Sequence, residues 1–181
     1  MLNLDIDAFL RHFRRQREWT HALVRAVPEE YFSWAPAPDA FSCGGLVVHL
    51  IQSEVFWRRL VLAAARGEKL DPFQIQGSGQ DRLTAFRPGN LSGSQTTKFG
   101  STFAECLVAW REVQAKTEEE LATLGDLDLG AIEVTHPLTT LTTSAAEMLL
   151  IKIEHEAHHR GQLSAYLKQL GLSQPPVLGL P

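Results

Sequence analysis

The sequence predicts an all-α protein, a four-helix bundle with long interhelix loops. Three observations carry this. Four segments repeat apolar residues at the three-, four- and seven-residue spacings of a helix face. No convincing strand run or internal repeat accompanies them. The 181 residues, 44% of them apolar and 21% charged, are read as one domain, 1–181, able to bury a core without disulfides.

The first helix is expected from about Asp5 to Val27, with Phe9, Phe13, Thr20, Leu23 and Val27 on one stripe. Pro28 stops it, and Trp34-Ala35-Pro36-Ala37-Pro38 reads as a connector. Ser42 is a good N-cap for a second helix running to about Arg66, with Gly67 as its stop. On that helix Leu46, His49, Leu50, Ser53, Trp57, Leu60 and Ala64 share a face, which puts His49 on the apolar side. Residues 67–100 hold six glycines and two prolines. A connection this long can cross a bundle end, so helices two and three need not be antiparallel neighbours.

Thr102 with Glu105 three residues on predicts a capping box opening a third helix, which ends near Leu124-Gly125. Residues 126–143 read as a loop. Ser144, boxed with Glu147, opens a fourth helix that runs through Leu170 to Gly171.

A formal charge of −4 and a pI near 6.0 argue against a nucleic-acid binder, which usually presents a basic face. Arg11, Arg14, Arg15 and Arg17 are read as a solvated helix face. Cys43 and Cys106 are too few for a disulfide framework and suit a reducing compartment. Cys43 would sit at a helix N-terminus, which favours a thiolate, but a buried small residue is the preferred reading. With neither a signal peptide nor an apolar run long enough to span a bilayer, a cytoplasmic protein without membrane partners is expected.

The chemistry concentrates in His155-Glu156-Ala157-His158-His159. His155 and His159, four apart, stack on one helix face that also carries Met148 and Tyr166. Two imidazoles aimed at a core either find separate hydrogen-bond partners or share a metal ion. His49, inward on another helix, completes a three-histidine set with an open position, the pattern of a catalytic zinc. Three imidazoles suit zinc, copper, nickel and iron alike. His158 is turned towards the flank, His12 and His21 read as surface or boundary residues, and His136 lies in a loop.

The same five residues match H-E-x-x-H, with Glu156 as the general base of a peptidase. That reading needs a third ligand downstream. No Asp, Glu or His follows His159, and Gln162 and Ala165 stand where an extended motif has Gly and His.

The stretch Ser42-Cys43-Gly44-Gly45-Leu46-Val47-Val48-His49-Leu50 with Trp57, and His155-Glu156-Ala157-His158-His159-Arg160-Gly161-Gln162-Leu163 with Tyr166-Leu167 and Gly171, resembles the DinB/YfiT superfamily of small metal-binding bundles. The resemblance implies an up-down-down-up bundle, often a homodimer, holding nickel, zinc, manganese or iron at His49, His155 and His159. It also implies, for some members, transfer of low-molecular-weight thiols such as bacillithiol or mycothiol. Others are described as hydrolases. The expected function is a metal-dependent thiol S-transferase acting on a small-molecule substrate, with Glu156 and Tyr166 orienting ligands or handling protons. A hydrolase using metal-activated water and a non-catalytic metal-binding stress-response dimer are the alternatives. Trp19 and Phe56, at the stripe edges, are offered as apolar surface for the dimer.

Overall fold

The computed structural model describes residues 4–68, 99–137 and 139–176. Four helices carry the fold: α1 (Ile6–Arg25), α2 (Cys43–Ala65), α3 (Phe103–Ala122) and α4 (Ala145–Gln169). Their starts follow the chemistry of their caps. Ser42 accepts from Gly45 N, Thr102 from Glu105 N, and Ser144 from Glu147 N in a complete capping box. The box expected at Thr102 is only half formed. The Glu105 carboxylate turns to Ser101 N at 2.7 Å, while Glu29 caps Phe103 N and Ala104 N from the preceding connector. Most of the 67–100 segment lies outside the described residues.

Contacts between named side chains fix the direction of each helix. Phe13 meets Lys152 and Thr20 meets Glu156, so α1 and α4 run parallel. Glu54 pairs with Trp110 and Arg58 with Glu120, so α2 and α3 also run parallel. Arg14–Glu118 and His21–Trp110 set α1 antiparallel to α3, and His49–His159 with Trp57–His155 set α2 antiparallel to α4. The order is up-down-down-up, with helices two and three parallel rather than antiparallel neighbours.

One correction concerns residues 126–143, read as a loop. They contain a small antiparallel hairpin, β1 (Glu133–Thr135) and β2 (Thr142–Ser144), with Val134 opposite Thr143. Three-residue strands are too short to show alternation. Val134 is buried against the bundle core, which gives the hairpin its anchor.

The core divides into two apolar clusters. One gathers Phe9, Phe13, Phe56, Leu60, Leu121 and Met148; the other gathers Leu23, Leu46, Ile51, Trp110, Leu163 and Leu167. Between them along the helices lies a buried polar layer that the sequence reading did not anticipate. Arg17, read as part of a solvated face, is fully buried. It pairs with Glu54 of α2 and with Glu156 of α4, and Lys152 joins Glu156 at 2.7 Å. Phe56 is likewise buried inside a core cluster, and Trp19 is half-buried beneath Arg15 and Arg160. Neither supplies the open apolar patch expected of a dimer face. No helix among the described residues is long and apolar enough to cross a membrane.

His21 is a further correction, since it is buried and packs edge-on against Trp110 with centroids 5.0 Å apart. Burial and the nearby Arg17 charge push its pKa down to about 3. The unfolded chain, whose histidine titrates near ~6.5, takes up a proton that the folded chain refuses. Stability from this residue is therefore complete above pH ~6.5 and declines as pH falls towards 3. His21→Asn is expected to remove up to about 1.4 kcal/mol per pH unit from the slope of stability between pH 6 and 4. Urea titrations across that range test it, and an unchanged slope would reassign the acid sensitivity.

Candidate metal centre

The site forms where the N-terminal half of α2 faces the C-terminal half of α4. The connector before α2 is pinned by Cys43 N donating to Trp34 O and Gly44 N donating to Phe32 O, both at 2.8 Å. Gly44 allows that close approach, because a Cβ there would collide with the Phe32 ring. The connector thereby lays Phe41 over His49, ring centroids 4.9 Å apart and nearly parallel.

His49, His155 and His159 meet at their Nε2 atoms. The separations are 3.2 Å for His49–His155, 3.1 Å for His49–His159 and 3.1 Å for His155–His159. Two nitrogens each about 2.0–2.1 Å from one ion lie roughly 2.8–3.4 Å apart at octahedral to tetrahedral angles. All three edges of the triangle fall in that range. Hydrogen bonding among the rings cannot account for them. Each Nε2 offers a single in-plane proton or lone pair, so three mutual contacts cannot all be hydrogen bonds.

One lone pair is fixed by its neighbour. His159 Nδ1 donates to Gln162 Oε1 at 2.7 Å, and the Gln162 amide donates in turn to His158 Nε2 at 3.2 Å. His159 Nε2 is thus unprotonated and turned to the centre. Burial holds the His49 pKa down to about 3 and that of His155 to about 4, and lowers His159 as well. All three rings are neutral near pH 7, as ligands must be. The group could hold a metal ion.

A cavity of about 560 Å³ opens over the triad, walled by Asp39, Phe41, His158, Gln162 and Tyr166. The DinB superfamily profile matches residues 12–163 of the sequence. The chain belongs to the DinB superfamily. It is 24% identical over 170 residues to the YjoA protein of Bacillus subtilis, covering 94% of each chain. Its fold is similar to the crystal structure of that DinB-like protein, with a TM-score of 0.63 at 20% identity, covering 93% of this chain and 95% of the other. A DinB-like protein from Bacillus cereus gives a TM-score of 0.66 at 20% identity, covering 97% and 99%.

The other residues singled out from sequence fall differently around this DinB triad. Tyr166 lines the cavity, its ring edge-on to Trp34. Glu156 turns to the opposite side of α4. Its carboxylate accepts from Thr20, Arg17 and Lys152 at 2.7–2.9 Å. Burial opposes its charge, but Arg17 and Lys152 outweigh this and hold it down to about 2. A peptidase base would have to face the ion, and this carboxylate is committed elsewhere. Cys43 and Cys106 are buried, and burial pushes each thiol up to about 11. The helix start at Cys43 does not offset that. His136 packs against Phe56 and Trp57 and is not among the triad. Sequence reasoning missed Gln162, whose signal was its place three residues after His159. It also missed Asp39 and Phe41, which no spacing marks because they lie in the connector.

Proposed function

We propose that the chain is a metal-dependent transferase that joins a small external thiol to an electrophile. The observation that carries this is the convergence of three neutral imidazole nitrogens on the floor of an open cavity. Three protein ligands beneath open space leave a position for a thiol or substrate atom. A bound divalent ion would supply Lewis acidity, lowering the pKa of a coordinated thiol so that thiolate exists at neutral pH.

The chain's own residues do the rest. Gln162 sets the His159 tautomer, and Phe41 shields one face of His49. The Tyr166 phenol, raised by burial and by nearby Cys43, stays protonated and is suited to donate a hydrogen bond to a developing anion. Neither cysteine is a thiolate at neutral pH, so the attacking sulfur comes from outside. In the transfer a carbon–sulfur bond forms, and the bond from carbon to the leaving group breaks. The thiol proton leaves through the open cavity.

Cobalt substitution tests this directly. Adding bacillithiol, mycothiol, glutathione or cysteine should produce a sulfur-to-metal band in the near ultraviolet. Loss of an electrophile such as monochlorobimane should need both metal and thiol, vanish in His159→Ala and survive in the Cys43→Ser, Cys106→Ser double variant. If all four thiols leave the cobalt spectrum unchanged, thiol transfer is excluded. Turnover of esters or amides would then support hydrolysis.

A further inference from the structure

Two of the three nitrogen separations in the triad depend on how α2 and α4 are aligned, and the third does not. His155 and His159 are four residues apart on one helix, so their 3.1 Å contact is local. The two His49 contacts, at 3.1 and 3.2 Å, join different helices. A shift of either helix by a fraction of a turn would break them, and a metal site tolerates about 0.5 Å. The apolar side chains in this core, among them Phe56, Trp57 and Met148, attract without direction, so on their own they fix the register through shape alone.

The buried ion layer supplies the missing direction. Arg17 Nη2 contacts Glu54 Oε2, on the residue after Ser53 and little more than one turn beyond His49. The same nitrogen lies 2.9 Å from Glu156 Oε2, between the two ligands of α4. Thr20 holds the other Glu156 oxygen at 2.8 Å, and Trp110 Nε1 donates to Glu54 Oε2 at 3.0 Å. The guanidinium lies over the Trp110 ring, 4.2 Å from its centroid. Arg17 is thus fixed by α1 and α3 and grips both ligand-bearing helices beside their ligands. Buried ion pairs are better suited to specify one arrangement than to add stability.

We propose that Arg17 is a positioning residue for the metal centre, with Glu54 and Glu156 as its two handles. The inference rests on the metal-binding reading above. It accounts for Glu156 lying inside the His155–His159 motif while facing away from the triad's side of the helix.

The test compares Arg17→Met and Glu156→Gln with Arg58→Met. Arg58 is also a buried arginine of the ion layer on α2, but it pairs with Glu120 and Thr117 of α3, which carries no ligand. Metal-free crystal structures of the first two variants should show the His49 separations widened, with His155–His159 unchanged. Their cobalt affinity should fall at least tenfold and their visible cobalt spectrum should change, while Arg58→Met keeps both. Should Arg17→Met fail to fold, Glu156→Gln and Thr20→Val carry the comparison. Unchanged His49 separations in the folded variants would overturn the proposal. So would an equal loss of affinity in Arg58→Met, which would point to general destabilisation. If wild-type protein took up no cobalt, the metal reading would fall, and the metal-free separations would still decide what Arg17 does.

Discussion

His49→Ala is expected to reduce affinity for a divalent ion by more than about 100-fold, the upper end of what losing a mere supporting hydrogen bond costs a metal site. The two histidines left would sit on one helix and offer a single edge of the triangle, His155 to His159 at 3.1 Å. They cannot replace the nitrogen that comes from α2. His155→Ala and His159→Ala should behave alike, with His159→Ala also stranding Gln162. His12→Ala is the control, because His12 bonds to Arg15 and Gln16 on its own helix and lies outside the triad. Plasma mass spectrometry of untagged protein gives the stoichiometry, and competition with a chelating dye gives the affinity. Full occupancy in His49→Ala with unchanged affinity would mean that the convergent nitrogens are not the ligands.

Much of this site could be read before any coordinates, and the reasons are local. The i,i+4 spacing of His155 and His159 fixes their shared face whatever the rest of the chain does. His49 could be placed inward because its neighbours at helical spacing, Leu46, Leu50 and Ser53, define a face. Ser42 and Ser144 opened their helices as their side-chain chemistry requires. The parallel arrangement of α2 and α3 was allowed by the long connection and implied by the resemblance. It was not dictated by either helix.

What escaped notice was the polar interior. Arg17 stands four residues after Phe13 and three before Thr20, on the very stripe that buries α1. Charge alone suggested water. The deciding fact is the pair of carboxylates on α2 and α4, and only the assembled bundle brings them to one nitrogen. Glu156 misled for the opposite reason. Its place between the two histidines suggested a group that orients ligands or handles protons at the triad, but residue 156 is turned about 100° from His155, and on that side Arg17 and Lys152 wait. The walls of the cavity came from Asp39 and Phe41 in an irregular connector, where no period exists to read.

Glu54→Ala is expected to destabilise the fold by about 3–5 kcal/mol, the range for breaking a buried pair by deleting one partner. Glu54 is almost wholly buried and serves two groups. Its removal leaves Arg17 with Glu156 alone, and Glu156 is already shared with Lys152. It also leaves Trp110 Nε1, on a fully buried ring of the second cluster, without its acceptor. Against a total stability of roughly 5–15 kcal/mol, that loss is a large fraction. The double variant Glu54→Leu, Arg17→Met should recover a substantial part of it, because apolar groups of similar volume then replace a charge that would otherwise be buried unpaired. Urea unfolding followed by circular dichroism measures both. A single variant within about 1 kcal/mol of wild type would show that water reaches this layer and screens it. A recovered double variant that folds well yet binds cobalt poorly would separate the two roles of the ion layer, since stability would then be replaceable by apolar packing while the register of α2 on α4 would not.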